Sequence, residues 1–329
     1  MKKISICIPT FNRERSLQNC LNSIISNSDI DWNDVEVCVS DNSTNDRTKQ
    51  IVLEAKKKIN INYHKNSKNI GRVKNYLNVV SIANGEYIWL IGDDDLLLPS
   101  SLKNILSLIN KFSSKIDFFY INSFILDSNY IFSFPQPFDT KNLPNNMKKF
   151  SLKKESEELD FIDLINPKVS FDFLGGMYLA VFKKGNWDLN VNCLKDEELE
   201  SEKAFSTFGN TFPHLKIFAN SFSNSQAYFC SQPLSVTLSG VREWEAMYPL
   251  IRSIRLIEAL DEFKKNGLRT SKYIIYKNYA LSYFAQDFIK MLLYRESSGW
   301  EYLNFRNHFI KNMLYPNFYL SFFYFFLRK

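Results

Sequence analysis

The sequence predicts an α/β fold: a mostly parallel mixed sheet with helices on both faces, followed by a helical C-terminal module. Two observations carry that expectation. Over residues 1–110, short strand-like runs alternate four times with amphipathic stretches at the spacing of βαβ crossovers. From residue 243 onward the apolar residues recur at helical period instead.

The elements follow in order. Ile4, Ile6 and Ile8 make a first strand that Pro9 ends, and residues 14–27 a helix with Leu17, Leu21, Ile24 and Ile25 on one face. Val35, Val37 and Val39 make a second strand, ended by Asp41-Asn42, before a Lys-rich helix over 45–58. Ile59, Ile61 and Tyr63 make a third strand, with a helix over 71–83 behind it. Tyr87–Ile91 is a fourth, ended by Gly92 and three aspartates. Residues 100–112 then form a helix, with Ser100 or Ser101 as N-cap. Phe118–Leu126 and Tyr178–Phe182 read as strands, and the polar stretch 140–160 as a loop. Met247, Leu250, Ile251, Ile254, Ile257 and Leu260 form a helical stripe, with Arg252, Arg255 and Glu262 off it. Residues 272–293 and 300–314 read as further helices. The expected division is a catalytic domain over 1–240, with halves 1–110 and 111–240, and a helical module over 241–329.

Composition narrows the function. The 329 residues include only 10 glycines, about 3% against an average near 7%. That leaves little for a multi-glycine phosphate loop. The net charge of +6 suits an anionic substrate or membrane surface and does not point to nucleic acid. Five scattered cysteines without a CxxC pair argue against a disulfide framework or zinc site and for a reducing compartment. The N-terminal apolar run breaks at Pro9, short of a signal peptide, so a cytoplasmic location is expected. No stretch reaches the roughly 20 apolar residues of a spanning helix. Aromatics are in excess, with 29 Phe and 17 Tyr.

Parallel α/β sheets bind ligands beyond the carboxyl ends of their strands, so the residues just after each strand carry the chemistry. Gly92-Asp93-Asp94-Asp95 delivers three carboxylates into one small space. Such charges repel unless a cation sits among them, and Mg²⁺ or Mn²⁺ bridges carboxylates to a diphosphate. The alternative is an acidic turn capping the next helix. Asp41-Asn42-Ser43 offers a carboxylate to a nucleobase N–H, or a plain Asx turn. Asn69-Ile70-Gly71-Arg72 and Asn75 open the third helix, where phosphate, base or ribose is met, or where the helix is simply capped.

Taken together, Ile8-Pro9-Thr10-Phe11-Asn12-Arg13, Ser40-Asp41-Asn42-Ser43, Asn69-Ile70-Gly71 with Asn75, Gly85-Glu86-Tyr87-Ile88 and Asp93-Asp94-Asp95 resemble the family 2 glycosyltransferases of GT-A fold, in order and spacing over residues 1–110. The GDDD and FPHL segments look most like the abequosyltransferase-like, bacterial surface-glycan branch. The resemblance implies a nucleotide-sugar donor, most often UDP-linked, a Mn²⁺ or Mg²⁺ ion, and inversion at the anomeric centre. It implies that Pro9, Thr10, Asn12 and Arg13 lie near the nucleotide and that Asp41 takes the base. It implies further that Asp93, with Asp94 beside it, meets ribose or metal and that Asp95 meets metal and diphosphate. The acceptor it implies is a glycan of O-antigen, lipooligosaccharide or capsule type, free or polyprenol-linked. A dideoxysugar, hexose or N-acetylhexosamine donor stays open, as does oligomer formation.

The acidic pair that supplies the general base in such enzymes is missing; Gly209-Asn210-Thr211-Phe212-Pro213-His214-Leu215 stands there. His214 is the replacement candidate, as base, as metal or diphosphate contact, or as a packing residue. Asp196, Glu197 and Glu198 compete, in a run (195–202) that reads as a solvated helix face. Gly175-Gly176-Met177 is expected to line the sugar pocket. Arg242 and Trp244 are expected near the acceptor, and His64 and His308 are expected to be structural or at the surface. The tail from Tyr315 to Lys329 is read as an interfacial segment for peripheral membrane contact, the alternative being core or dimer packing. Two rival functions remain: an inactive GT-A domain that binds glycan or a partner, and a sugar nucleotidyltransferase.

Overall fold

The computed structural model describes residues 2–201, 203–240 and 244–327. Packing divides the chain into two units: Met1–Phe161 with Gly176–Leu189 and Ser225–Val241, and Ile162–Gly175 with Asn190–Asn224 and Arg242–Lys329. The second unit therefore includes 162–175 and 190–224, which the expected division places in the half 111–240.

The first unit is built on one sheet. Its strands are β1 (Lys2–Thr10), β2 (Val35–Asp41), β3 (Ile61–Lys65), β4 (Gly85–Leu90), β5 (Leu96–Leu97), β6 (Phe118–Asp127), β7 (Lys148–Lys149), β8 (Glu157–Asp160), β9 (Ala180–Lys183) and β10 (Gln226–Ser239). The main order is β3-β2-β1-β4-β9-β6-β10-β5, with β7 on β6 and β8 on β10. β1 pairs in parallel with both β2 and β4. The β-branched residues of β1 and β2 are buried, as a parallel strand under helices requires: Ile4, Ile6, Ile8, Val35, Val37 and Val39 are all fully enclosed. Helices α1 (Glu14–Ile25), α2 (Arg47–Lys56), α3 (Arg72–Ser81) and α4 (Ser101–Phe112) connect these strands close to where the periodicity placed them. The chain runs outward from β1 through β2 to β3 and then returns to β4 on the other side of β1. That reversal is a topological switch point, where strand ends leave a crevice.

Three features of the sheet depart from expectation: first, β7 and β8 lie within the stretch 140–160 read as a loop. The strand expected from Tyr178 starts at Ala180, after a 3₁₀ turn over Met177–Leu179. The long strand β10 had no clear sequence signal. Its pairing with β6 shifts register between Cys230 and Ser235, around Pro233, which has no N–H for the ladder.

The second unit is helical, with longer helices Pro213–Phe222, Leu256–Lys265, Thr270–Ala280, Phe284–Leu293 and Pro316–Leu327. The stretch expected as one helix over 272–293 is interrupted by a 3₁₀ turn at Leu281–Tyr283, and 300–314 is a set of short turns. Arg255, expected on the outer side of its helix, is 3% exposed and donates to the carbonyls of Phe205 and Ser206. A π-helical segment over Ile251–Arg255 explains this, because its extra residue per turn rotates the following side chains off the 3.6 period. Phe284, Phe288, Phe309 and Phe318 form a ring cluster with centroids 5.0–6.0 Å apart, which absorbs part of the aromatic excess.

Gly85 begins β4 against β1 so closely that a Cβ there would lie 2.6 Å from the backbone nitrogen of Ser5. Gly85→Ala must part the two strands, and overpacking of this kind costs about 1–3 kcal/mol. A lowered midpoint in urea unfolding at unchanged slope is the expected result.

Candidate active site

The adjacency of β1 and β4 brings the motif after each into contact. Ile91 N donates to Cys7 O at 3.0 Å, continuing the ladder to the strand ends. Thr10, last residue of β1, donates its hydroxyl to Asp93 Oδ2 at 2.7 Å. Arg13, three residues on, places Nη1 3.2 Å from Asp93 Oδ1 and 3.3 Å from Asp94 Oδ2. Asp95 folds back on the same turn, its Oδ2 accepting Gly92 N–H at 2.7 Å. A Cβ at Gly92 would lie 2.6 Å from Asp94 Oδ1, so a larger residue there would push the Asp94 carboxylate aside.

Asp93 and Asp95 are 5% and 2% exposed. Burial first, and the charge of Asp94 second, push the Asp93 carboxyl up to about 6, against the pull of Arg13 and Thr10. A hard cation fits such a donor set, since it would relieve both the desolvation and the repulsion. Asp93 and Asp95 are the residues that would hold it. Among the described residues no group of three or more His, Cys, Asp or Glu side chains is placed to hold a metal. A cation here would complete its shell from a diphosphate and water, as Mg²⁺ commonly does.

The end of β2 provides a second polar point. Asp41 is fully buried; Oδ1 accepts Ser43 N–H at 2.7 Å and Oδ2 accepts the Tyr63 hydroxyl at 2.8 Å. Burial, then the Asp41 hydrogen bond and charge, raise the Tyr63 hydroxyl, so it stays a donor at neutral pH. The carboxylate retains lone pairs for one further N–H donor. Asn12 lies in the left-handed region at φ 52° and accepts Thr44 N–H through Oδ1 at 3.0 Å, clamping the loop after β1 to the loop after β2.

Other predicted residues serve as framework. Asn75 donates to the carbonyls of Thr10 and Ser40 and accepts from Ser40 Oγ and Asn66, tying β1, β2 and α3 together. Asn69 Oδ1 accepts from Asn42 Nδ2 at 3.0 Å and from Gly71 N at 2.9 Å. Gly71 caps α3 at φ 85°, a conformation that favours glycine. Arg72 follows it, its guanidinium 5.9 Å from the Tyr76 ring centre. Pro9 is a buried β1 residue opposite Ser40. Tyr63 and Asn78 are not singled out by the sequence, whereas Asn66 opens the polar segment that follows the third strand. Alternation along β3 gave Tyr63 only a packing role, and the asparagine contacts join distant segments.

His214 belongs to the second unit. It is 4% exposed, its ring stands edge-on to Phe212 and Phe218, and Nε2 lies 3.1 Å from Gly175 O. A carbonyl only accepts, so Nε2 carries the proton and the lone pair of a neutral ring is on Nδ1. Glu198 is not part of a solvated face. It is 6% exposed and pairs with Lys216 at 2.6 Å, while Asp196 and Glu197 are exposed. Gly209 packs so tightly on Glu198 that no Cβ fits. Gly175 and Gly176 precede the Met177 turn, and a Cβ on Gly176 would meet the Tyr178 ring at 2.9 Å. Trp244 packs on Phe205 at 5.3 Å, whereas Arg242 lies outside the described residues. His64 is exposed on β3, and His308 bonds Glu258 at 3.1 Å.

Comparison with known proteins bears on this site. Residues 5–154 match the family model "Glycosyl transferase family 2". The chain is 44% identical over 101 residues to the abequosyltransferase RfbV of Salmonella typhimurium, a stretch covering 30% of each protein. It is thus similar to less than a third of that relative. It is 27% identical over 287 residues, 86% of this chain and 81% of the relative, to a GalNAc(5)-diNAcBac-PP-undecaprenol β-1,3-glucosyltransferase of Campylobacter jejuni. The fold is similar to that of Staphylococcus aureus TarS 1–349 in complex with UDP, at TM-score 0.55 and 16% identity over 85% of this chain and 71% of that one. It is also similar to the mannosyltransferase PcManGT of Pyrobaculum calidifontis in complex with GDP-Man and Mn²⁺, at TM-score 0.51 and 11% identity over 97% and 83%. The first unit and its helices have the GT-A fold.

Asp93 sets a pH signature. Its folded pKa of about 6 exceeds the ordinary value near 3.9, so the folded state binds the extra proton. Its stabilising contribution is full below pH 4 and is lost as pH rises through 6. Thermal melts of the metal-free protein from pH 4 to 7 should show Asp93→Asn gaining midpoint relative to the parent as pH rises. A difference independent of pH refutes the assignment.

Proposed function

From a chain whose residues 5–154 match the model of glycosyl transferase family 2, we propose an enzyme that moves one sugar from a nucleotide-sugar donor, a UDP-sugar by preference, to a hydroxyl of a bacterial surface glycan. The observation that carries this reading is the convergence of Thr10, Arg13, Asp93 and Asp95 at the switch between β1 and β4, with the buried Asp41 and its partner Tyr63 beside it. Asp41 receives the base N–H, and Tyr63 holds its carboxylate in place. Asp93 and Asp95 hold Mn²⁺ or Mg²⁺, which when bound supplies positive charge to the departing diphosphate. Arg13 adds a second cation at the same edge. The acceptor oxygen bonds to the anomeric carbon as the bond to the diphosphate breaks, the electron pair leaving with the nucleotide and the configuration inverting. The acceptor proton goes to a general base, the role assigned here to His214.

The acceptor is an O-antigen, lipooligosaccharide or capsule glycan, free or polyprenol-linked. The name of the Campylobacter relative, which specifies an undecaprenol-linked glycan, supports the polyprenol-linked form. Among the described residues no helix is long and apolar enough to cross a membrane. The second unit nonetheless exposes large apolar side chains, among them Phe323, Tyr324, Phe326 and Leu327 on the last helix and Ile274 and Ile275 on the Thr270–Ala280 helix. We assign these to peripheral contact with the inner face of the cytoplasmic membrane, where a lipid-linked acceptor is presented.

Nucleotide release measured with Mn²⁺ over UDP-, GDP-, CDP- and dTDP-sugars, with and without glycan acceptors, tests the reaction. Release from one donor is expected, and Asp95→Ala should lower it at least about 100-fold, the scale of losing one transition-state charge contact. Binding without release supports a glycan-binding protein, and consumption of nucleoside triphosphate with sugar phosphate supports a nucleotidyltransferase. His214→Ala should spare donor binding and reduce turnover; normal turnover with a lowered melting point assigns it to packing. Phe323→Ser/Phe326→Ser should reduce co-sedimentation with anionic vesicles, and undiminished sedimentation refutes the membrane surface.

A further inference from the structure

A cleft of about 200 Å³ opens within the helical unit, between the Leu256–Lys265 and Thr270–Ala280 helices and the turns that carry His308 and Asn312. By the same measure one water needs roughly 10–15 Å³, so the cleft has room for a ring bearing several hydroxyls.

Its chemistry is mixed and nearly balanced. Asn312 is 1% exposed, and its Oδ1 is a buried acceptor with no hydrogen-bond partner. Its orientation is fixed, because Nδ2 donates to His308 O at 2.7 Å and a flipped amide would set two oxygens together. Orphaned buried acceptors are uncommon and point to a missing donor. Lys277, 6% exposed, reaches the Tyr273 hydroxyl at 3.0 Å and Asp261 at 3.5 Å, two contacts for an ammonium with three donors. Glu258 is engaged by Arg255 at 2.7 Å and by His308 at 3.1 Å. Burial opposes its charge, but those two partners hold its carboxyl below the usual range. Lys311 lies exposed at the rim. An anion entering would meet Asp261 and Glu258, and a cation would meet Lys277 and Lys311. Ile254 and Ile257 add an apolar patch.

We infer that this cleft is a second carbohydrate site, taking a neutral sugar ring whose hydroxyls donate to Asn312 Oδ1 and accept from Lys277 while its C–H face rests on Ile254 and Ile257. A hydroxyl both donates and accepts, and it carries no charge to meet the carboxylates or ammonium groups around it. The inference goes beyond the donor site of the first unit and does not depend on the transfer reaction.

Saturation-transfer NMR on the full chain tests it, with methyl glucoside, methyl galactoside and N-acetylglucosamine as probes and inorganic phosphate as the anionic control. At least one sugar should show transfer. Asn312→Leu should abolish it and Asp95→Asn should leave it. Lys311→Ala, at the exposed rim, should weaken it several-fold with an unchanged melting point, which keeps the test sound if Asn312→Leu is unstable. The inference is overturned if no sugar shows transfer, if Asp95→Asn removes the signal, if Lys311→Ala changes nothing, or if phosphate displaces the sugar.

Discussion

A buried carboxylate must be neutralised, hydrogen-bonded or protonated, and Asp93 is held by all three influences at once. Its oxygens face Thr10 and Arg13, and its own affinity for a proton is raised by burial and by Asp94. That demand explains the surrounding layout. Thr10 reaches Asp93 only because β4 returns to lie beside β1, and Arg13 only because the chain leaves β1 through the left-handed Asn12. The reversal in strand order and the acidic turn are two halves of one arrangement.

The parts of this arrangement that lie within a few residues of one another were legible in the sequence. Alternating β-branched residues marked β1, β2 and β4, and the break residues after them marked the site. What escaped depended on contacts between distant segments. The cross-links from Asn75 to Thr10 and Ser40 are of this kind. Tyr63 looked like an ordinary strand aromatic until β3 placed it against Asp41. Arg255 and Glu198 were read as outward charges. A π-turn buries the first, and Lys216, eighteen residues along the chain, neutralises the second. Sequence periodicity carries no information about a partner that arrives from another element.

The aromatic excess also resolves into distinct uses. Within the sheet, Phe118 and Phe119 are enclosed core residues. In the helical unit Phe284, Phe309 and Phe318 interlock. On the last helix Phe318 is buried while Phe323 and Phe326 are more than half exposed, so that helix is anchored on one side and greasy on the other. One residue type thus supplies both the packing that holds the helix down and the surface proposed to meet lipid.

The framework behind the strand ends is made of Ser40, Asn42, Asn66, Asn69, Asn75 and Asn78, joined by side-chain hydrogen bonds. None of these groups ionises in the physiological range. Acid and salt therefore act on the charged cluster while the amide lattice that positions it keeps its shape. The site is in effect a switchable charge mounted on an electrically inert frame, able to gain or lose a cation and nucleotide in each turnover without remodelling its supports.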